Sequence, residues 1–137
     1  MSMTVAYDLV HLLGAPRPLV WAAWTEPERF CRWFGPAWMA TPLGRVTLDV
    51  RAGGAWGVTL VGDEGFEMVV GGRYREVVAP ERLVFTTGAG DRAASVVTVV
   101  FVAAGAGTEL RVREIGVGVG REGWEEFCGR LAAYLEP

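Results

Sequence analysis

From Arg121 to Glu136 the apolar residues Trp124, Phe127, Cys128, Leu131, Ala132 and Leu135 recur at i, i+3, i+4, i+7, i+8 and i+11. This is one stripe of a 3.6-residue period and predicts an amphipathic helix of roughly 24 Å. Arg121, Glu122, Glu125, Glu126, Arg130 and Glu136 fall on its other face, so one side is wet and the other needs a partner. The rest of the chain supplies a sheet. A Val- and Leu-rich first strand runs from Thr4 to Leu13 and ends at Gly14-Ala15-Pro16. Alternation then predicts strands over Val46–Val50, Trp56–Leu60, Phe66–Val78, Leu83–Thr87, Ser95–Val102 and Thr108–Ile115, each bounded by Gly, Pro or Asp clusters.

Two short helices are expected after the first strand. Pro18 suits a first helical turn leading to Thr25. Thr25-Glu26-Pro27-Glu28 has the form of a capping box for a second helix reaching Phe34, which Gly35-Pro36 stops. Gly53-Gly54 reads as a hairpin turn, and Gly71-Gly72 in mid-strand as a bulge or bend. No crossover helix separates the later strands. The prediction is therefore an α+β fold, in which a curved antiparallel sheet of about seven strands surrounds a long C-terminal helix. A concave sheet of that size is not filled by one helix of ~10 Å width, so a cavity between them is the physical expectation.

Composition narrows the classes of function. With 137 residues, 51% hydrophobic content and no linker or internal repeat, the chain reads as one globular domain over residues 1–137. All thirteen basic residues are Arg, scattered singly in a chain of net charge −3, which argues against nucleic acid and anionic membrane as partners. No leader-like segment or membrane-length apolar run is present, so a cytoplasmic location is expected. Cys31 and Cys128 are far apart and His11 is the single histidine. That set gives no metal-ligand spacing, and neither a metal nor a cofactor is expected.

Gly118-Val119-Gly120-Arg121-Glu122-Gly123 is a literal G-x-G-x-x-G between a strand and a helix. Only fourteen residues follow it, leaving no second parallel strand, so it reads as a flexible connection that could gate a cavity rather than as a dinucleotide site. By alternation Glu114 shares a face with Leu110 and Val112. On the concave side it would be a buried carboxylate needing partners and the first candidate for acid or base work; at the rim it would pair with Arg.

Several stretches together resemble a known family. Val20-Trp21-Ala22-Ala23-Trp24-Thr25-Glu26-Pro27-Glu28 with Trp33-Phe34-Gly35-Pro36, the Arg51-Ala52-Gly53-Gly54-Ala55-Trp56 hairpin, and Gly72-Arg73-Tyr74-Arg75-Glu76 through Ala79-Pro80-Glu81-Arg82-Leu83 resemble the heat-shock protein 90 ATPase activator homologues. Gly107-Thr108-Glu109-Leu110 and Gly123-Trp124 with Leu131 and Tyr134-Leu135 extend the likeness to the end. The resemblance implies the START-like, or SRPBCC, helix-grip fold. His11 departs from it, standing where many relatives carry Arg.

Three functions compete. The first is binding of a small apolar or aromatic molecule between the last helix and the sheet. Trp33, Phe34, Trp38, Trp56, Met68, Tyr74, Phe85, Phe101, Trp124, Phe127 and Leu131 are its candidate lining, and Tyr74, Glu76, His11 and Glu114 its candidate polar contacts; the same aromatics could instead fill the core. The second is a cyclase- or hydratase-type enzyme working in that cavity, although no catalytic motif is recognisable. The third is a protein-interaction module such as a chaperone regulator, which would show an exposed apolar patch; the family name alone implies a chaperone partner. A homodimer is compatible with all three.

Overall fold

In the computed structural model, residues 6–88 and 92–136 are described. Strand β1 (Ala6–Leu13) leads through Pro16 into helix α1 (Arg17–Thr25) and the one-turn helix α2 (Pro27–Phe30). Six strands follow: β2 (Val46–Leu48), β3 (Ala55–Val61), β4 (Glu67–Val78), β5 (Arg82–Thr87), β6 (Ser95–Ala104) and β7 (Gly107–Gly116). Helix α3 (Arg121–Leu135) closes the described chain. The sheet is antiparallel in the order β1-β7-β6-β5-β4-β3-β2. Strands β2 to β7 form the expected meander. β1 completes the sheet by pairing with β7, from Ala6 opposite Ile115 to Leu13 opposite Thr108, while α1 and α2 carry the chain from that edge towards the other.

The predicted stripe of α3 is the buried one: Trp124, Phe127, Cys128 and Leu131 are its buried residues. They meet the inward rows of the sheet, Leu9 and Leu13, Trp56, Val58 and Leu60, Leu83 and Phe85, Val97, Val99 and Phe101, and Leu110 and Val112. Trp24 lies at the centre, stacked on Trp124 at 5.8 Å and touching Trp33 at 4.7 Å between ring centroids. The Trp33 indole N–H donates to the Ala23 carbonyl at 2.9 Å, which ties the turn after α2 to α1.

Three local expectations are corrected. Thr25 does not cap α2; its hydroxyl donates back to the Trp21 carbonyl at 2.8 Å, as Thr in a last helical turn commonly does, and the N-cap position is Glu26. α2 ends at Phe30 rather than Phe34, and Phe34 is held by main-chain bonding to Phe30. The irregularity of β4 is at Arg75, between the Tyr74–Phe85 and Glu76–Val84 pairs, while the register with β3 runs unbroken through Gly71 and Gly72.

Those two glycines serve the bend. β4 pairs with β3 over residues 67–73 and with β5 over residues 74–78, so the sheet parts between the first half of β4 and the end of β5. A Cβ at Gly72 would overlap the Thr86 carbonyl, and one at Gly71 would lie 2.6 Å from the Trp56 carbonyl oxygen. Side chains and single bonds replace the ladder across the gap: the Trp56 indole donates to Thr86 O at 2.9 Å, Arg73 N to Thr86 Oγ1 at 3.0 Å, and Gly88 N to Gly71 O at 2.9 Å.

Candidate functional site

The opening left by that parting is the wall of a cavity of about 860 Å³. Phe34, Trp56, Leu60, Met68, Val70, Gly71 and Gly72 line one side, Thr87 and Gly88 the end, and Gly118, Val119, Gly123, Glu126 and Phe127 the other. The lining is mostly apolar. Small residues make the space: Gly57 faces Gly71 across the β3–β4 pair, and a Cβ on Gly57 would still be 3.8 Å from the nearest atom. At the mouth the Ala37 N–H donates to Glu126 Oε2 at 2.9 Å, and Arg73 donates to the Gly53 carbonyl at 3.0 Å.

Of the candidates named from the sequence, the cavity gathers Phe34, Trp56, Met68 and Phe127. Trp33, Tyr74, Phe85, Phe101, Trp124 and Leu131 are packed in the core instead. Burial, and then the nearby Asp49, raise the Tyr74 hydroxyl above its ordinary pKa of 10.0. Trp38 is 63% exposed and stacks on Phe66 at 6.2 Å, outside the cavity. Glu76 is exposed on β4, accepting from Arg82 at 3.5 Å. His11 shares the inward face of β1 with Leu9 and Leu13 and is partly buried. Lining residues that the sequence did not mark as such include the small ones, Val70, Gly57, Gly71, Gly72, Thr87, Gly88 and Val119. Their signal was the coincidence of glycines on adjacent strands, legible only with the register.

Glu114 is fully buried on the concave face, and its partners are not Arg. Oε1 accepts from the Tyr7 hydroxyl and from Gly120 N at 2.9 Å; Oε2 accepts from Ser95 Oγ at 2.7 Å and Val119 N at 3.2 Å. Ser95 in turn lies 2.6 Å from Thr87 Oγ1. Thr87, Ser95, Glu114 and Tyr7 thus form a polar row across β5, β6, β7 and β1 at the end of the sheet where α3 begins. Burial and then the hydrogen bond to Glu114 push the Tyr7 hydroxyl far above its ordinary pKa of 10.0.

The same carboxylate explains the glycine-rich segment. Gly116 and Gly120 have φ of 111° and 89°, a region that favours glycine, and a Cβ on Gly118 would overlap the Glu114 carboxylate and the Ser95 hydroxyl. The N–H groups of Val119 and Gly120 do bind an anion, but that anion is the protein's own Glu114. The expected flexible connection is fastened at three points, the third being Val117 N to Ala94 O at 2.9 Å.

A seven-stranded antiparallel sheet curled around a C-terminal helix, with a cavity between, defines the helix-grip class of START-like proteins. Residues 14–136 match the family described as Activator of Hsp90 ATPase homolog 1-like protein, and the chain belongs to that family. A crystal structure of a Chromobacterium violaceum protein is similar over 96% of this chain and 97% of that one, at 26% identity and a TM-score of 0.83. A Nitrosomonas europaea protein (22% identity, 96% and 94% covered, TM-score 0.82) and an AHSA1-like protein from Aeromonas hydrophila (21%, 97% and 92%, 0.81) share the fold. No curated protein is significantly similar to the chain. Among the described residues no helix is long and apolar enough to cross a membrane, and no cluster of His, Cys, Asp and Glu could hold a metal.

Proposed function

We propose that this protein binds a small apolar or aromatic molecule in the cavity between α3 and the β3–β4 hairpin. One observation carries the reading: an apolar-lined space of about 860 Å³, within the range of small-molecule sites, whose walls come from elements the fold holds apart. Binding is favoured over turnover because Glu114, the buried acid, already accepts four hydrogen bonds and lies behind Gly118 rather than on the cavity wall.

The test is thermal melting and Trp fluorescence with a panel of lipids, flavonoids and polyketide-like aromatics. A ligand at one hundred times its Kd adds ~2.7 kcal/mol of stability, a rise of several degrees. Val70→Trp, which puts an indole into the cavity, should abolish that rise while leaving the unliganded fold intact. An unchanged rise in this variant would refute the cavity as the site. A second reading, a protein-interaction surface, is favoured by the Trp38–Phe66 stack, in which both rings are half or more exposed; a cooperative melt that no compound shifts would favour it.

A further inference from the structure

The hydrogen-bond directions in the polar row determine what the inner end of the cavity presents to a ligand, while the charged lining residues Arg73 and Glu126 stand at the mouth. Val119 and Gly120 N–H can only donate, and Glu114 takes one on each oxygen, together with the Tyr7 and Ser95 hydroxyls. Ser95 has one proton and spends it on Glu114 Oε2. The 2.6 Å contact between Ser95 Oγ and Thr87 Oγ1 therefore has Thr87 as donor. Thr87 has then also used its only proton, and its oxygen retains acceptor capacity alone. Gly118 lies over the Ser95–Glu114 bond, so Thr87 is the member of the row that lines the cavity.

We propose that the cavity selects apolar or aromatic molecules whose polar end is a hydrogen-bond donor, an alcohol or phenol O–H, and discriminates against ethers and ketones of the same shape. This rests on the cavity reading above and adds the chemical class of the ligand. A ligand hydroxyl donating to Thr87 Oγ1 extends the row Thr87–Ser95–Glu114 by one member, all bonds pointing the same way. A carbonyl or carboxylate oxygen at that place would face an acceptor whose proton is already committed.

Calorimetric titration with 2-naphthol, 2-methoxynaphthalene and 2-acetonaphthone tests this on the intact protein. The expected order places 2-naphthol roughly three- to tenfold tighter than either of the others, the worth of one neutral hydrogen bond. Thr87→Val should erase that preference without weakening 2-methoxynaphthalene, and Thr87→Ser should retain it. Ser95→Ala frees the Thr87 proton to turn towards the cavity, so 2-acetonaphthone should gain relative to 2-naphthol. Equal affinities in the native protein, or a preference that survives Thr87→Val, overturn the donor rule while leaving the cavity reading standing. Binding of none of the three, with native spectra intact, overturns both.

Discussion

Replacing Glu114 by Gln exchanges one acceptor oxygen for an NH2 group of nearly the same size, and the surroundings make that exchange costly. Whichever way the amide turns, its NH2 meets one hydroxyl, Tyr7 or Ser95, and one backbone N–H, Gly120 or Val119. A hydroxyl can reverse and accept; a backbone N–H cannot. One buried donor is therefore orphaned at about 1–3 kcal/mol. The two bonds left on the amide oxygen also lose the strength that an ionised partner gives, on the order of 1 kcal/mol each. The sum is about 3–5 kcal/mol, a large share of the ~5–15 kcal/mol that holds a domain of this kind together. With ~3–5 °C per kcal/mol at this chain length, Glu114→Gln should melt about 10–20 °C below the native protein. Calorimetry reads the shift, and amide exchange reads its place, since protection should fall first at Val119 and Gly120. Tyr7→Phe and Ser95→Ala each leave three donors on the carboxylate and should cost less, about 1–2 kcal/mol. A Glu114→Gln variant melting within about 2 °C of native, with both amides still protected, would refute the account of this segment as fastened by the carboxylate.

Gly118→Ala should destabilise by about 2–4 kcal/mol in urea titration, because its Cβ overlaps Glu114 and Ser95, whereas Gly57→Ala, with open space around its Cβ, should change stability by less than about 1 kcal/mol. Leu131→Ala, at a fully buried position of α3, should cost about 2–5 kcal/mol by the same measurement. Alkaline pH should weaken the fold. Burial pushes the Cys128 thiol from its ordinary 9.0 up to about 12, so above pH 9 the unfolded chain loses a proton that the folded one keeps. The stability Cys128 contributes is thus whole below pH 9 and falls by up to ~1.4 kcal/mol per pH unit above it, joined past pH 10 by Tyr7 and Tyr74, whose hydroxyls are also raised. Cys128→Ala should lower stability at neutral pH yet flatten the decline between pH 9 and 10; an unchanged slope there would contradict the assignment.

How legible the protein was depended on whether a feature was local. The α3 stripe could be read because Trp124, Phe127, Cys128 and Leu131 carry their period within one element, and tertiary packing honoured it. Glu114 could be placed inward by its alternation with Leu110 and Val112, but not its partners. Tyr7 and Ser95 belong to strands 107 and 19 residues away along the chain, and no local pattern specifies that register. The Thr25 capping box failed because the hydroxyl had a competing acceptor one turn back at Trp21. The shape of the fold predicts the cavity, yet large aromatics mark only part of its wall. Most of those rings, Trp33, Phe101 and Trp124 among them, occupy the core. The wall is completed by Gly57, which leaves open space, and by Gly71, Gly72 and Gly118, which let other chain segments approach closely, and residues without side chains leave no hydrophobic signature.

The parting of the sheet along β4 gives the cavity a particular mechanical character. The β2–β3 hairpin and the first half of β4 join the main sheet through the continuous β4 chain and four bonds at Thr86 and Gly88, and Trp56 carries the core across that seam through its ring contacts with Phe34 and Phe85. Displacing that wall stretches those four bonds and shifts the Trp56 ring against Phe34 and Phe85 but disturbs no aromatic contact of Trp24, so the girth of the chamber is set at one indole while its polar end, anchored in β5, β6 and β7, keeps a fixed geometry.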